Sequence, residues 1–300
     1  MSGLKILLLG QGGQVGWELQ RALAPLGEVV GLDHDSTHLH GDFSQPERLA
    51  ETVAAVRPDL IVNAAAHTAV DKAESEPGLA RAINATAPGV LARCAAETGA
   101  WLVHYSTDYV FDGSGDQPRR EDAPTGPLSV YGQTKLDGED AIRASGCRHL
   151  ILRTSWVYAA RGGNFAKTML RLAAERDKLT VIDDQIGAPT GADLLADLTA
   201  QMLRTVMAQP DLDLSGIYHA VAGGQTSWHG YASFVIEQAR RLGRELKVQA
   251  IDPVPTTAFP TPAKRPLNSR LDTTRLQATF GLRLPPWQQG VERMLTEILA

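Results

Sequence analysis

The stretch Leu4-Lys5-Ile6-Leu7-Leu8-Leu9-Gly10-Gln11-Gly12-Gly13-Gln14-Val15-Gly16 joins a nearly continuous apolar run to a glycine-rich turn. Such a run is typical of a parallel strand that is buried on both faces. Trp17 to Leu26 follows with the pattern of an amphipathic helix. A strand, a glycine turn and a helix in this order predict the first unit of a parallel α/β sheet.

The glycines themselves suggest a ligand. Gly10, Gly13 and Gly16 are spaced three residues apart at the turn from strand to helix. Without side chains there, backbone N–H groups and a helix N-terminus can approach a pyrophosphate. The order of strand, glycines and helix is the context that a dinucleotide site requires. The alternative is a glycine-rich turn that binds nothing.

The second strand, Glu28 to Leu32, ends at Asp33. An acid about 20 residues after the glycines binds the adenosine ribose hydroxyls in dinucleotide sites and favours NAD over NADP. No arginine follows immediately to bind a 2′-phosphate. Asp42 and Phe43 come next, and an acid beside an aromatic ring could hold the edge and face of adenine. Asp33 could instead be an exposed turn residue.

A third strand, Asp59 to Asn63, precedes the small residues Ala64-Ala65-Ala66. Small side chains at the carboxyl end of a strand would let a cofactor lie against the backbone, although tight helix packing would explain them equally well. Leu79 to Thr98 is predicted to be one long helix, interrupted only by Pro88.

The stretch from His104 to Lys135 is expected to carry the chemistry. A fourth strand, Trp101 to Tyr105, delivers Thr107 at its end, and a helix capped by Ser129 would place Tyr131 and Lys135 on one face. A nearby ammonium group lowers the pKa of a phenol, which could then pass a proton to a carbonyl oxygen near neutral pH. Alone, the pair could be an ordinary helix-surface contact. The intervening loop, Phe111 to Leu128, is a candidate lid.

The second half of the chain is less regular. After a fifth strand, His149 to Arg153, the alternation of strands and helices weakens near residue 160. Helices are predicted at Asn164 to Asp177, Ala192 to Met207, Trp228 to Leu242 and Trp287 to Leu299, separated by Val181 to Thr190 and by the proline-rich Pro253 to Pro266. The predicted fold is therefore α/β, a Rossmann-like doubly wound parallel sheet with a smaller, discontinuous C-terminal substrate lobe. Residues 1–160 would form the dinucleotide-binding domain, to which later segments of the chain could also belong. Residues 161–300 would mainly form the substrate-binding lobe.

Composition limits the functional class. The chain has 300 residues, 43% hydrophobic and 21% charged, and a net charge of −5 without a basic cluster. These values describe a soluble globular protein and argue against a nucleic-acid partner. No apolar run approaches the roughly 20 residues of a membrane-spanning helix, and Met1-Ser2-Gly3 leads directly into the first strand without a signal peptide. Cys94 and Cys147 suggest neither a disulfide framework nor a zinc site. The expected compartment is the cytoplasm.

Together, the glycine turn, Thr107 and Tyr131-x-x-x-Lys135 make the chain resemble the extended short-chain dehydrogenase/reductases. Within them it resembles the dTDP-4-dehydrorhamnose reductase family along nearly its whole length. The matching blocks are Gly10 to Gly16, Asn63-Ala64-Ala65-Ala66-His67-Thr68-Ala69-Val70-Asp71, Ser106-Thr107-Asp108-Tyr109-Val110-Phe111, Arg153-Thr154-Ser155-Trp156-Val157-Tyr158, Ala188-Pro189-Thr190-Gly191 and Arg265-Pro266-Leu267-Asn268-Ser269-Arg270-Leu271.

The resemblance implies reduction, with NADH or NADPH, of the 4-keto group of the dTDP-linked sugar dTDP-6-deoxy-L-lyxo-4-hexulose. Tyr131 would donate the proton, Lys135 would hold the nicotinamide ribose and lower the pKa of Tyr131, and Thr107 would hydrogen-bond the sugar oxygen. Besides Gly10, Gly16 and Lys135, the implied cofactor contacts are Gly13, Gln14, Val15, Asp33, Asp42, Phe43, Ala66, His67, Thr68 and Tyr105. Asp108 and Trp156, with Thr107 and Tyr131, would contact the sugar nucleotide.

Three alternatives belong to the same superfamily. Sugar-nucleotide 4,6-dehydratases carry a glutamate directly after the Thr-Asp pair, where this chain has Tyr109. Epimerases are a weaker alternative, because one helix pair does not distinguish transient from net hydride transfer. The fold also resembles the regulatory subunit of methionine adenosyltransferase, which binds a cofactor without catalysing the reduction.

The resemblance further implies a homodimer. Some reductases of the family hold a magnesium ion, Mg²⁺, between acidic residues at the dimer interface. Glu18, Asp193 and Glu297 fall near the matching places, with Asp193 replacing a longer glutamate. Acids on surface helices are more often simply solvated, and these three could bind a cation only if the fold brings them together.

Overall fold

The computed structural model describes residues 3–299, so Met1, Ser2 and Ala300 lie outside the described residues. The expected lack of a signal peptide concerns the N-terminal residues and likewise lies outside them. A six-stranded sheet with every neighbouring pair parallel forms the centre of the protein. Its strands, in chain order, are β1 (Leu4–Leu9), β2 (Gly27–Leu32), β3 (Leu60–Asn63), β4 (Trp101–Thr107), β5 (His149–Thr154) and β10 (Gly216–His219). The spatial order is β10-β5-β4-β3-β1-β2, which confirms the doubly wound parallel sheet.

Helices cover both faces of this sheet, so its four central strands are buried on both sides as their apolar runs require, while the edge strands β2 and β10 are only partly buried. The helices are α1 (Gln14–Leu23), α2 (Arg48–Val56), α3 (Val70–Ser75), α4 (Pro77–Arg81), α5 (Ala87–Thr98), α6 (Val130–Ala144), α7 (Phe165–Glu175), α8 (Ala192–Ala208), α9 (Trp228–Arg241), α10 (Thr274–Phe280) and α11 (Trp287–Leu299). Helices α1 and α8 pack together on one face, and α2, α5 and α6 pack on the other.

Two helix predictions need correction. Helix α1 starts at Gln14, because the chain turns directly from the glycines into the helix. The long helix expected from Leu79 to Thr98 is composite: α4 ends at Arg81, a π-helical segment covers Ala82–Thr86, and α5 starts at Ala87. Pro88 lies in the first turn of α5, where a missing N–H costs little, so the interruption precedes the proline.

The smaller lobe is built from α7, α9 and α11 and from short strands. These strands are β6 (Val157–Tyr158), β7 (Lys178–Ile182), β8 (Ile186–Gly187), β9 (Thr190–Gly191), β11 (Thr226–Ser227) and β12 (Ala250–Val254). Strands β7 and β12 pair in parallel although about 70 residues of chain separate them, and the sequence had not indicated either. Between these pieces the chain returns to the large sheet with α8 and β10.

Within residues 3–299, no helix is both long enough and apolar enough to cross a membrane. Both cysteines are free thiols, Cys94 half-buried on α5 and Cys147 buried just before β5.

Candidate active site

The glycine turn folds as tightly as its sequence implies. Gly10 has a φ of +81°, and a Cβ there would lie 2.7 Å from the Ala65 backbone nitrogen. A Cβ on Gly16 would lie 1.9 Å from the Gly10 carbonyl oxygen. Helix α1 begins directly after Gly13, and no side chain caps it. The N–H groups of its first helical turn therefore face the glycine turn. The turn therefore fits the pyrophosphate of a dinucleotide.

Gln14 and Val15, the other predicted residues of the turn, point in different directions. The Gln14 side-chain amide donates to the Gly163 carbonyl at 2.7 Å and so ties the turn to the loop that follows β6. Val15 packs against the core between α1 and the sheet.

Asp33 lies directly over the turn. Its carboxylate accepts hydrogen bonds from the Gly12 N–H at 2.9 Å and from the His34 N–H at 3.1 Å. Asp42, by contrast, is engaged locally, because its carboxylate accepts a hydrogen bond from the Ser44 N–H, two residues on, at 2.8 Å. Phe43 is buried in the core under the sheet, so its ring does not present an open face.

The segment after β3 is held by a residue that sequence reasoning missed. Asn84, fully buried in the π-helical segment, accepts from the His67 N–H at 2.9 Å and donates to the His67 carbonyl at 3.1 Å. It also donates to the Thr134 hydroxyl on α6 at 3.2 Å. Ala66 is half-buried and Thr68 is exposed in the same segment. No local pattern signals Asn84, because its partners lie on other elements.

Tyr131 and Lys135 lie in α6, whose first turn is capped by the Ser129 hydroxyl as predicted. The Lys135 ammonium group is buried and contacts the Tyr105 carbonyl at 2.6 Å and His104 Nε2 at 3.1 Å. The Tyr105 hydroxyl points to the opposite face of the sheet, where it is 2.6 Å from the Thr199 hydroxyl on α8.

The expected lowering of the Tyr131 pKa is wrong for this arrangement. Burial raises the pKa of Tyr131 to about 12, and a hydrogen bond with Thr107 opposes this only in part. Burial also lowers the pKa of Lys135 to about 8, opposed by the charge of Glu139. Loss of water around the phenol outweighs any effect of the lysine, because burial destabilises the charged form of each group.

Thr107 and Asp108 lie at the carboxyl end of β4, beside Tyr131. The Thr107 hydroxyl donates to the Asp108 carboxylate at 3.2 Å and accepts from the Tyr109 N–H. Burial raises the pKa of Asp108 to about 7, while the nearby hydroxyls of Ser269 and Thr107 oppose the shift. The second Asp108 carboxylate oxygen has no hydrogen-bond partner among the described residues. A buried acid with a spare oxygen is suited to a polar ligand.

A buried ion pair fixes α6 to the sheet behind these residues. Arg153 at the end of β5 donates to Glu139 on α6, with contacts of 2.6 and 2.9 Å, and the Ser106 hydroxyl donates to the same carboxylate at 2.5 Å. Both charged side chains are almost completely buried. The sequence offered no signal for the pair, since its members belong to different elements.

Trp156 lies after β5 with a φ of +49°, an uncommon conformation for a bulky residue. Its ring stacks on Trp228 of α9 at 3.7 Å and lies over Gly187, where a Cβ would approach within 2.9 Å. It therefore joins the end of the large sheet to the smaller lobe.

The proline-rich segment is attached to the same edge of the protein. Arg265 binds the Asp71 carboxylate of α3 through both terminal nitrogens, at 2.7 and 3.1 Å. The candidate lid, residues 111–128, forms neither helix nor strand and is tied to this segment, since the Asn268 amide donates to the Gln117 carbonyl at 2.9 Å.

Glu18, Asp193 and Glu297 do line one cleft of about 220 Å³. Arginines neutralise two of them: Arg21 is 3.6 Å from Glu18, and Arg293 is 3.2 Å from Asp193. Among residues 3–299, the only group of three or more candidate ligand side chains within coordinating distance of one another is the exposed Asp33-His34-Asp35. Within one protomer, the three acids therefore do not fit a magnesium site.

Comparisons with known proteins agree with this geometry. The family model described as RmlD substrate binding domain matches residues 4–300. A dTDP-4-dehydrorhamnose reductase of Shigella flexneri is 60% identical over 98% of both chains. Among solved structures, a dTDP-4-dehydrorhamnose reductase of Clostridium acetobutylicum is 35% identical, with a TM-score of 0.88 over 99% of this chain and 100% of that one. The Bacillus anthracis enzyme, solved in complex with NADP, is 33% identical, with a TM-score of 0.86 over 98% and 99%. The chain thus belongs to the dTDP-4-dehydrorhamnose reductase family.

Proposed function

We propose that the protein reduces the 4-keto group of dTDP-6-deoxy-L-lyxo-4-hexulose (dTDP-4-dehydro-L-rhamnose) with NADH or NADPH. The product would be dTDP-L-rhamnose, in the last step of its synthesis. The observation that carries the proposal is that the glycine turn after β1 and the Thr107–Tyr131 pair lie at the same, carboxyl edge of one parallel sheet. Relatives named for this reaction, at up to 60% identity, support the substrate.

The proposed cofactor site comprises the glycine turn and the ends of β2, β3 and β4. Its residues are Gly10, Gly13, Gln14, Val15, Gly16, Asp33, Asp42, Phe43, Ala66, His67, Thr68, Tyr105 and Lys135, of which Phe43 and Tyr105 contribute mainly through packing or backbone. When bound, the reduced nicotinamide supplies the hydride that the reaction requires. A Bacillus anthracis relative solved with NADP supports this type of cofactor.

The chain's own residues would align the sugar and supply the proton. With its pKa raised to about 12, the Tyr131 phenol stays protonated at neutral pH and can donate its proton to the C4 oxygen, since an alkoxide is the stronger base. The Thr107 hydroxyl would hydrogen-bond the same oxygen. Asp108 and Trp156 would contact the sugar nucleotide, and burial of the site would exclude water.

Reduction is favoured over dehydration by the residue that follows Asp108. Tyr109 stands where the dehydratases carry a glutamate, and its ring packs edge-on against Tyr131 with centroids 5.5 Å apart. An aromatic side chain there offers no carboxylate base for removing a proton at C5.

The decisive experiment mixes pure protein with the 4-keto-L-sugar nucleotide and NADH or NADPH, and follows absorbance at the nicotinamide band. We expect oxidation of at least one cofactor and formation of dTDP-L-rhamnose. Lack of oxidation with both would overturn the proposal and favour the regulatory-subunit alternative. Interconversion of sugars without net cofactor oxidation would instead indicate an epimerase.

We further propose the division into a dinucleotide-binding part, residues 1–160 with the returning α8 and β10, and a substrate lobe built mainly from residues 161–300. The proposed location is the cytoplasm and the proposed assembly is a homodimer. Light scattering of the purified protein tests the assembly, since a dimer has twice the mass of one chain. No step of the reaction is assigned to magnesium.

A further inference from the structure

The ring of Trp156 is held in place by residues of the smaller lobe. It stacks on Trp228, with ring centroids 3.7 Å apart and planes 16° apart. Gly187 lies against the same indole, since a Cβ there would come within 2.9 Å of Trp156 Cε2. The φ of Trp156, +49°, is uncommon for a bulky residue, so tertiary contacts rather than local preference must fix the position of the ring.

Gly187 also brings Trp156 close to the reacting edge. A Cβ on Gly187 would lie 3.1 Å from the Cβ of Ser269, and the Ser269 hydroxyl is near the Asp108 carboxylate. One oxygen of that carboxylate is buried without a hydrogen-bond partner among residues 3–299. A sugar ring carries both hydroxyl groups and apolar C–H faces. An aromatic ring beside a buried acid with a spare oxygen therefore offers it complementary contacts.

The orientation of Trp228 is fixed by a buried amide. Its indole N–H donates to Gln185 Oε1 at 3.0 Å, and Gln185 is only 3% exposed. An indole N–H cannot accept, so the amide oxygen of Gln185 must face it and the amide nitrogen must point away. That nitrogen donates to the Thr256 hydroxyl at 3.0 Å. The hydrogen bonds thus run in one direction, from the indole to Thr256.

This chain of hydrogen bonds ends on a carboxylate. The Thr256 hydroxyl donates to Asp184 at 2.5 Å, and the Thr256 N–H donates to the same carboxylate at 2.9 Å. Each member donates to the next, so turning the Gln185 amide over would oppose two donors. Thr256 belongs to the proline-rich segment that Arg265 attaches to Asp71. The stacked indoles are therefore tied to a segment at the same edge of the protein.

Ordinary core packing does not require this amide. An apolar side chain could fill the space beside Trp228, whereas a buried amide must give up its bonds to water. Trp287, in the core of the same lobe, is also buried, and its indole N–H has no hydrogen-bond partner among residues 3–299. The lobe therefore accommodates a buried indole without a dedicated acceptor. The acceptor at Trp228 serves to orient its ring.

We propose that Trp228 and Gln185 are positioning residues that hold the Trp156 ring as an apolar wall against the sugar of the dTDP-sugar. Recognition of the sugar then depends on them, whereas recognition of the nucleotide does not. The methyl group and C–H face of a 6-deoxy sugar supply the apolar surface that such a wall would contact. The inference rests on the proposed function for the identity of the ligand.

The first test is Gln185→Leu, which removes the acceptor and leaves an apolar residue of similar size. Binding of dTDP-L-rhamnose and of dTDP is measured by calorimetry without cofactor, so that no turnover occurs. We expect the affinity for dTDP-L-rhamnose to fall about tenfold and that for dTDP to change less than about twofold. The circular dichroism that arises from coupling of the stacked indoles should weaken, because their relative orientation relaxes. An equal loss for both ligands, or no loss, would overturn the proposal.

The second test is Trp228→Phe, which keeps an aromatic ring but removes the N–H. It should lower the affinity for dTDP-L-rhamnose at least as much as Gln185→Leu does. In the Trp228→Phe background, Gln185→Leu should cause no further loss, because there is no indole left to orient. Additive losses would overturn the claim that the two residues act through one contact.

The matched control is Trp287→Phe, the same chemical change in the same lobe, which should leave both affinities unchanged. A loss of sugar affinity as large as that of Trp228→Phe would show a general effect of packing and would overturn the proposal.

A measurement on the wild type decides the question if the variants do not fold. In protein labelled with ¹⁵N-tryptophan, dTDP-L-rhamnose should shift the indole N–H resonances of Trp156 and Trp228, and dTDP should shift neither. Unmoved resonances would overturn the proposal. A protein that binds the sugar in this way but oxidises neither cofactor would overturn the proposed reaction alone. A reductase whose sugar affinity does not depend on Trp228 and Gln185 would overturn only this inference.

Discussion

The carboxylate of Asp33, at the end of β2, accepts a hydrogen bond from the Gly12 N–H at 2.9 Å. The acid that would bind the adenosine ribose therefore also holds the glycine turn, and a Cβ on Gly12 would come within 2.3 Å of it. If Asp33 has this role, one side chain would govern both the choice between NAD and NADP and the shape of the turn.

Asp33→Asn should shift the cofactor preference toward NADPH. The amide oxygen can still accept from Gly12, but the negative charge that repels a 2′-phosphate is removed. We expect the ratio of kcat/KM for NADPH to that for NADH to rise about tenfold. The control is Asp35→Asn, which removes an exposed charge two residues away. If both variants changed the NADPH-to-NADH ratio equally, Asp33 would not be the residue that selects the cofactor.

Tyr131→Phe should lower kcat by roughly 100- to 10,000-fold, because the proton donor is lost. Cofactor affinity, measured by fluorescence titration, should change little, since the ring and Lys135 remain. Tyr218→Phe is a suitable control because this hydroxyl lies on the edge strand β10, where it donates to the Leu214 carbonyl. Substantial turnover by Tyr131→Phe would mean that another group donates the proton.

Glu139→Gln should destabilise the protein by about 3–5 kcal/mol, because Arg153 would be left buried without a counter-charge. Urea unfolding measures this difference. Asp140→Asn on the same helix breaks an exposed pair with Arg143 and should cost less than about 1 kcal/mol. Similar losses in the two variants would contradict the structural role assigned to the Arg153–Glu139 pair.

The effect of Asp108→Asn on stability should depend on pH. Burial raises the pKa of Asp108 from 3.8 to about 7, so the folded state binds its proton more tightly than the unfolded state, and stability is lost as the pH rises between these values. Removing the acid should therefore stabilise the protein, relative to wild type, by on the order of 4 kcal/mol more at about pH 8 than at about pH 4.

The difference between Asp108→Asn and wild type, measured by unfolding at several pH values, isolates this group. His219 contributes with the opposite sign in both proteins, since burial lowers its pKa to about 3, and its effect cancels in the difference. A difference that does not vary with pH would show that Asp108 is charged in the fold at neutral pH.

Local patterns predicted much of the sheet and of the reacting edge. Strands β1, β3, β4 and β5 are apolar runs buried on both faces, and β2 is a partly buried edge strand with an apolar centre; each of the five was found within about two residues. Ser129 caps α6 and Tyr131 and Lys135 share this helix because caps and helical spacing act over a few residues. Strand β10, which has only four residues and begins with Gly216, and the distant pair β7–β12 left no comparable signal.

By itself, the sequence determined the first five strands, the glycine turn and the residue types at the reacting edge, because these depend on neighbours along the chain. The tertiary structure alone decided the electrostatics of that edge, because burial shifts the pKa values of Asp108, Tyr131 and Lys135. Asn63, His104 and Lys135 lie on three different elements, and the contacts between them form only in the folded chain. The pairing of Arg153 with Glu139 and the grouping of Glu18, Asp193 and Glu297 arise in the same way, from contacts between residues far apart in sequence.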